Sequence, residues 1–124
     1  ILWQVAHGET ADRVRDHPAL QDFDIPRTGR VRRVGTLVTK TLVIAGDGGV
    51  FTSADEREGA RLRAYDKMTG QEIDAVFMPS SQTGSPMTYS IDGVQYIVVA
   101  VGGGTYAGEL LAYRLPESED NGGA

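Results

Sequence analysis

The chain of 124 residues contains no cysteine, which excludes disulfide staples and thiolate metal sites without choosing a compartment. It also lacks an excess of positive charge. Twelve Lys and Arg against seventeen Asp and Glu give a formal net charge of -5, whereas nucleic acid demands a basic face. No nucleic-acid partner is therefore expected. Long apolar runs are missing too: the longest, Tyr96 to Val101, is far too short to span a bilayer. Residues Ile1 to Thr10 show no basic start followed by an apolar stretch, so no signal peptide is visible. Nor does any segment sustain a 3.6-residue apolar period, which removes long amphipathic helices and leaves an all-β reading. Only Asp12 to Leu20 offers one helical turn.

What the chain does have is glycine, 16 in all, placed between short apolar runs where turns belong. A length of 124 residues is one domain's worth at most. The polar stretch Ala6–Val34 contains His17-Pro18 and Ile25-Pro26, whose prolines push the preceding residue out of helix. Arg27, Arg30, Arg32 and Arg33 cluster at its end, and their loop-like, carboxylate-flanked setting favours a solvated loop over a phosphate site. Strands are predicted at Leu2–Val5, Thr36–Lys40, Leu42–Ala45, Arg61–Tyr65, Glu72–Met78, Pro86–Ile91, Gln95–Val101 and Glu109–Leu115, from β-branched content or two-residue alternation. Asp66 to Gly70 and Asp92-Gly93 are hairpin connections.

The strand at Gln95–Val101 is apolar on both faces, so both must be covered. A sandwich fits this pattern; a β-propeller explains more, because stacked four-stranded sheets bury both faces of inner strands. On that reading residues 1–116 are blades of a larger propeller. Residues 1–5 are the outer strand of a preceding blade, 36–79 a complete blade, 85–116 a last blade lacking one strand, and 117–124 a disordered tail. The chain is then a fragment, the remaining blades are its first partners, and it is aggregation-prone when made alone.

Leu62 to Gly70 resembles the A-x-D-x-x-T-G repeat of propellers that bind pyrroloquinoline quinone (PQQ). Pro86-Met87-Thr88-Tyr89, followed by Asp92-Gly93-Val94-Gln95-Tyr96, is similar to the final blade of PQQ-dependent alcohol and glucose dehydrogenases. The stretch from Leu2 through His17-Pro18-Ala19-Leu20 to Leu42 is similar to the glucose dehydrogenase-like branch. The resemblance implies the last two of about eight blades of a quinoprotein dehydrogenase. Such an enzyme oxidises a sugar or alcohol, passes electrons to a quinone or cytochrome, and uses PQQ and calcium. It implies a periplasmic location, with any membrane anchor outside this chain, and an alternative: a non-catalytic scaffold such as an outer-membrane assembly lipoprotein. Two positions depart from the family pattern. Asp74 stands where the repeat places a blade-docking tryptophan, and Gly104 stands where a histidine or tryptophan follows the paired glycine.

The carboxylate base and calcium ligands of the family come from other blades, so no catalytic residue is nominated here. Glycine lets a flat ligand approach backbone closely, and Gly102, Gly103 and Gly104 are the candidate cofactor-binding residues. They belong to one of four long connections, Ala6–Gly35, Gly46–Ala60, Ser80–Ser85 and Gly102–Gly108, expected to share the ligand face. Asp47, Asp55, Glu56 and Glu58 offer hard oxygen ligands but lack calcium-loop spacing, which favours a solvated loop. His7 and His17 read as loop histidines. Lys40 reads as an exposed lysine, with a cofactor carboxylate as the alternative, and Trp3 as a packing residue. Asp66 and Thr69 are turn formers.

Overall fold

The computed structural model describes residues 1–52 and 58–114. Two antiparallel sheets dominate it. The first contains β1 (Leu37–Val38), β2 (Leu42–Gly46), β3 (Phe51–Thr52), β4 (Glu58–Asp66) and β5 (Glu72–Met78), and the second contains β6 (Met87–Ile91), β7 (Val94–Gly103) and β8 (Tyr106–Arg114). In the first sheet the order β1-β2-β4-β5 makes a four-stranded meander, with β3 pairing only the first residues of β4. The second has three strands in the order β6-β7-β8. Among the described residues, helical structure is confined to one turn, α1 (Asp12–Arg15), and a short 3₁₀ segment, Pro18–Leu20. No helix among the described residues is long and apolar enough to cross a membrane.

The all-β class and most strand positions follow from the alternation in the sequence. In β4, Ala60, Leu62 and Ala64 point to one face and Arg61, Arg63 and Tyr65 to the other. Cross-strand pairs extend each face: Ile44 opposite Ala64 and Ala60 opposite Met78 put apolar side chains together. That face meets the second sheet, and Ile44, Ala60, Leu62, Met78, Val99 and Val101 form one buried cluster. Met78 has no exposed surface, and Val99 and Val101 are nearly as buried. Each such side chain stabilises the fold by roughly 1.5–3 kcal/mol. The Tyr113 hydroxyl donates to the Phe77 carbonyl at 2.8 Å and adds a polar tie between the sheets.

The opposite face of the first sheet is polar, and the N-terminal segment covers it. Leu2–Val5, expected as a strand, pairs with neither sheet. Its anchor is a side chain instead: the Trp3 indole N–H donates to the Lys67 carbonyl at 2.9 Å. The ring lies against Gly70, where an added Cβ would come within 2.5 Å of it. Gly70 also has φ +76°, so the turn needs glycine on both counts. Trp3 packs on the Gly70 turn, in line with the packing role expected of it, although the outer strand expected to carry it does not form here. Strand β3 has no signature in the sequence, since two paired residues carry no periodicity. The proposed tail at 117–124 lies outside the described residues.

Candidate functional site

Strand β7 runs two residues further than its apolar composition predicts. Gly103 still pairs with Tyr106 of β8, across a register shift at Gly102, and only Gly104-Thr105 forms the turn. The expected long connection Gly102–Gly108 is therefore a two-residue hairpin. Glycine lowers strand propensity but leaves the backbone free to pair; the bulge sets Gly102 against Ala107-Gly108, and Gly103 pairs beyond it at φ +118°. Gly104 takes φ +61°, and nothing lies within 4 Å of where its Cβ would be.

The four expected connections do meet at one end of the sheets. Gly35 donates its N–H to the Gly84 carbonyl at 3.3 Å, the Gln82 N–H reaches the Asp47 carbonyl at 2.9 Å, and the Gly102 N–H reaches the Ser81 carbonyl at 3.0 Å. Gln82 also bridges Val101. A cleft of about 340 Å³ opens here, lined by Val50, Glu58, Pro79, Ser80 and the turn Gly103–Tyr106. The opposite end holds tight turns, among them Asp66–Gly70, where Asp66 Oδ1 accepts from the Met68 and Thr69 amides at 2.8 and 3.0 Å. These bonds, Thr69's first, hold the Asp66 carboxyl below its ordinary value. Lys40 sits exposed in the β1–β2 turn at this far end, and so away from the cleft.

On the polar face of the first sheet, under the N-terminal segment, lies a buried charge network that the sequence concealed. Arg63 is only 2% exposed, although its alternation with apolar residues reads as an ordinary half-solvated strand. Its Nε and Nη2 hold Asp47 in a fork at 2.8 and 3.1 Å, Nη1 reaches Glu72 at 3.1 Å, and Nη2 reaches Glu9 at 3.3 Å. Arg27 adds a second contact to Glu72 at 3.4 Å. Burial works against the charge on Arg63, but Asp47 and Glu72 outweigh it and raise its pKa above the ordinary value. Burial likewise opposes ionisation of Glu72, and Arg63 with Arg27 nonetheless holds its pKa below the usual range. Tyr65 is pushed up to about 12, chiefly by burial and then by the Glu72 charge.

This arrangement assigns several candidates. Asp47 is buried and committed to Arg63 and to the Arg61 amide at 2.9 Å, so it is not the solvated loop carboxylate expected. Asp55 and Glu56 lie outside the described residues, and Glu58 lines the cleft. No group of three or more His, Asp or Glu able to hold a metal occurs among the described residues. His7 bonds the Tyr65 hydroxyl at 2.7 Å and the Gly46 carbonyl at 3.0 Å, and so serves the fold. His17 accepts from the Ala19 amide and caps the 3₁₀ segment. Asp74 is exposed, with its carboxylate on the Ala75 amide at 2.8 Å. What the cleft end offers is exposed backbone at Gly103 and Gly104 with open space beside it, whereas Gly102 is buried against Gly108 with its N–H and carbonyl bonded to Ser81.

Comparison with known proteins bears on this geometry. The family profile described as "Glucose/ethanol/alcohol dehydrogenase, beta-propeller domain", PQQ, matches residues 1–97. The chain is 29% identical over 123 residues to a glycerol dehydrogenase large subunit of Gluconobacter thailandicus, covering 95% of this chain and 15% of that protein. It is 31% identical over 124 residues to a quinoprotein glucose dehydrogenase of Gluconobacter oxydans (strain 621H), covering 96% of this chain and 14% of the relative. A 1-butanol dehydrogenase (cytochrome c) of Thauera butanivorans is 42% identical over 67 residues, 53% of this chain and 9% of its own length. The chain thus spans about one-seventh of the length of the first two of these relatives. No solved structure matches.

Proposed function

We propose, from the premise that this chain belongs to the PQQ β-propeller dehydrogenase family, that the full-length protein oxidises a sugar or alcohol. In this reading the two sheets are adjacent blades, and this chain contributes part of the wall on which PQQ rests. Bound PQQ supplies a quinone that accepts two electrons from the substrate. The observation that carries the proposal is the convergence of Gly35, Gly46, Gln82 and Gly102 at one end, beside a turn with open space at Gly104. A planar group fits there, because a Cβ on Gly103 meets only Ser81 Oγ at 3.7 Å and one on Gly104 meets nothing. Gly102, Gly103 and Gly104 are the proposed backbone neighbours of the cofactor. The catalytic base and the calcium ligands are proposed to come from outside this chain. The relatives' names carry both acceptor types, cytochrome c and quinone, so both belong to the proposal. The full protein is further proposed to act in the periplasm, which cell fractionation tests.

The experiment is reconstitution of the full-length protein with PQQ and calcium, followed by dye reduction with glucose, glycerol and butanol. PQQ-dependent turnover with one substrate class is the expected result. A folded full-length protein that binds no PQQ overturns the proposal in favour of a non-catalytic scaffold. Gly104→Asn adds a local probe. Asparagine tolerates positive φ, so the fold should survive, while the added side chain projects into the space assigned to the ring system. PQQ half-saturation should weaken about tenfold or more, as one lost close contact surface of ~1.4 kcal/mol implies. Unchanged half-saturation removes Gly104 from the site.

A further inference from the structure

One residue joins every segment that meets at the cleft end, and nothing in its sequence context marks it. Gln82 lies in the connection between β5 and β6 and is 5% exposed. Its Oε1 accepts from the Gly46 N–H at 2.5 Å, and its Nε2 donates to the carbonyls of Gly35 at 2.9 Å and Gly84 at 2.7 Å. Its backbone N–H reaches Asp47, and its neighbours Ser81 and Thr83 bond Gly102 and Ala100 of β7. The side-chain amide therefore satisfies one donor and two acceptors from three segments, while the backbone carries the link to the second sheet. The fit is tight. A Cβ on Gly46 would come within 2.6 Å of Gln82 Oε1 and 3.0 Å of its Cβ.

We infer that Gln82 is a positioning residue: a fastener that sets the spacing of the two sheets at the cleft end and thereby places the Gly102–Thr105 hairpin. This rests on the proposed function only where it concerns the cofactor; the fastener itself rests on the hydrogen bonds. A purely apolar connection would leave the Gly46 amide and the Gly35 and Gly84 carbonyls without these partners. The backbone links at Asp47, Ala100 and Gly102 would remain, but Gly46, Gly35 and Gly84 would be held against one another only by apolar packing, which is non-directional and sets spacing less sharply than an amide with fixed donors and acceptors.

The test uses the full-length protein with Gln82→Met, which keeps the length of the side chain and removes its three hydrogen bonds. Ile44→Val loosens the same core without touching the amide and is the control. Hydrogen exchange at the Gly46 and Gly102 amides should accelerate about tenfold in Gln82→Met and stay near wild type in the control. Equal acceleration in both variants, or none, overturns the fastener. PQQ half-saturation should weaken about tenfold in Gln82→Met alone, in line with one buried polar group left unsatisfied. Faster exchange with unchanged half-saturation overturns the positioning role. A wild-type protein that takes up no PQQ sinks the dehydrogenase reading instead, and the exchange arm still decides the fastener. Should Gln82→Met not fold, Gln82→Glu replaces it. Its carboxylate still accepts from Gly46 but faces two carbonyls, so protection of the Gly46 amide, taken relative to wild type at the same pH, should be low at neutral pH and recover as lower pH protonates the carboxylate. A ratio to wild type that stays constant with pH overturns the inference.

Discussion

At the scale of single residues, the fold depends on polar groups that only tertiary contacts could reveal. Arg63 illustrates the point: its sequence context, Leu62-Arg63-Ala64, predicts a strand but not that three carboxylates converge on its guanidinium. Removing it leaves Asp47 and Glu72 without their main counter-charge, and Arg63→Met should cost about 3–5 kcal/mol in urea unfolding. Arg63→Lys should cost less, since the charge stays while the fork to Asp47 is lost. The same network sets the pH limits. The depressed Glu72 pKa contributes stability that is present above its unfolded value of 4.5 and is lost as pH falls through the lower folded value. Acid unfolding of Glu72→Gln should therefore be less steep below that point. Tyr65 has the opposite sign. Raised from 10.0 to about 12, it contributes stability that is present below pH 10 and lost between there and about 12. Tyr65→Phe should lack that part of the alkaline decline, even though it sacrifices the bond to His7.

At the scale of elements, legibility followed side-chain chemistry. Strand β5, with its alternation, ends at Met78 as Pro79 requires, and the Asp92-Gly93 hairpin is where its dipeptide places it. The misses occurred where pairing is made by backbone alone. Gly102 and Gly103 carry no strand signal yet extend β7, β3 is two residues long, and Leu2–Val5 has the apolar content of a strand without a partner. Gln82 was invisible because an isolated glutamine in a polar connection reads as solvated. At Gly102-Gly103-Gly104 a tight bulged hairpin stands in place of the long loop expected there, because backbone pairing leaves no side-chain signal. Turn geometry gives two further tests. Asp92 sits at φ 52°, an unfavourable region that asparagine tolerates better. Asp92→Asn should stabilise by ~0.5 kcal/mol, whereas Asp92→Val should cost about 1–2 kcal/mol in the same unfolding measurement. At the Gly70 turn, Gly70→Ala meets both a positive φ and the Trp3 ring. Trp3 is the chain's one tryptophan, so displacement should appear as a red shift of its emission. A stable protein with unshifted emission would show that the ring does not dock there.

At the scale of the whole molecule, the two sheets differ in how their outer faces are covered. The first sheet has a polar outer face with the N-terminal segment laid across it through Trp3, His7 and Glu9. The second sheet has an apolar outer face and no described segment against it. In the register of β6, β7 and β8, Met87, Tyr89 and Ile91 share this face with Val94, Tyr96 and Val98, and on β8 with Leu110 and Ala112. Leu110 is 76% exposed, Ile91 55% and Met87 52%, and Tyr89 stacks on Tyr96 at 5.1 Å between ring centroids. An apolar face of this extent, bounded on the β8 side by an edge strand with no described partner, favours association. The 124-residue chain made alone should therefore self-associate, and its apparent mass in sedimentation should rise with concentration. Placing charge on the face, as Leu110→Lys with Ile91→Lys, should shift it towards monomer without lowering the melting temperature, because neither side chain contributes to the buried cluster. The matched pair Leu62→Lys and Val99→Lys, inside that cluster, should unfold the chain instead. A wild-type chain that stays monomeric at high concentration and melts cooperatively would show that the face is tolerated in water, and that covering it is not what holds this part of the molecule in place.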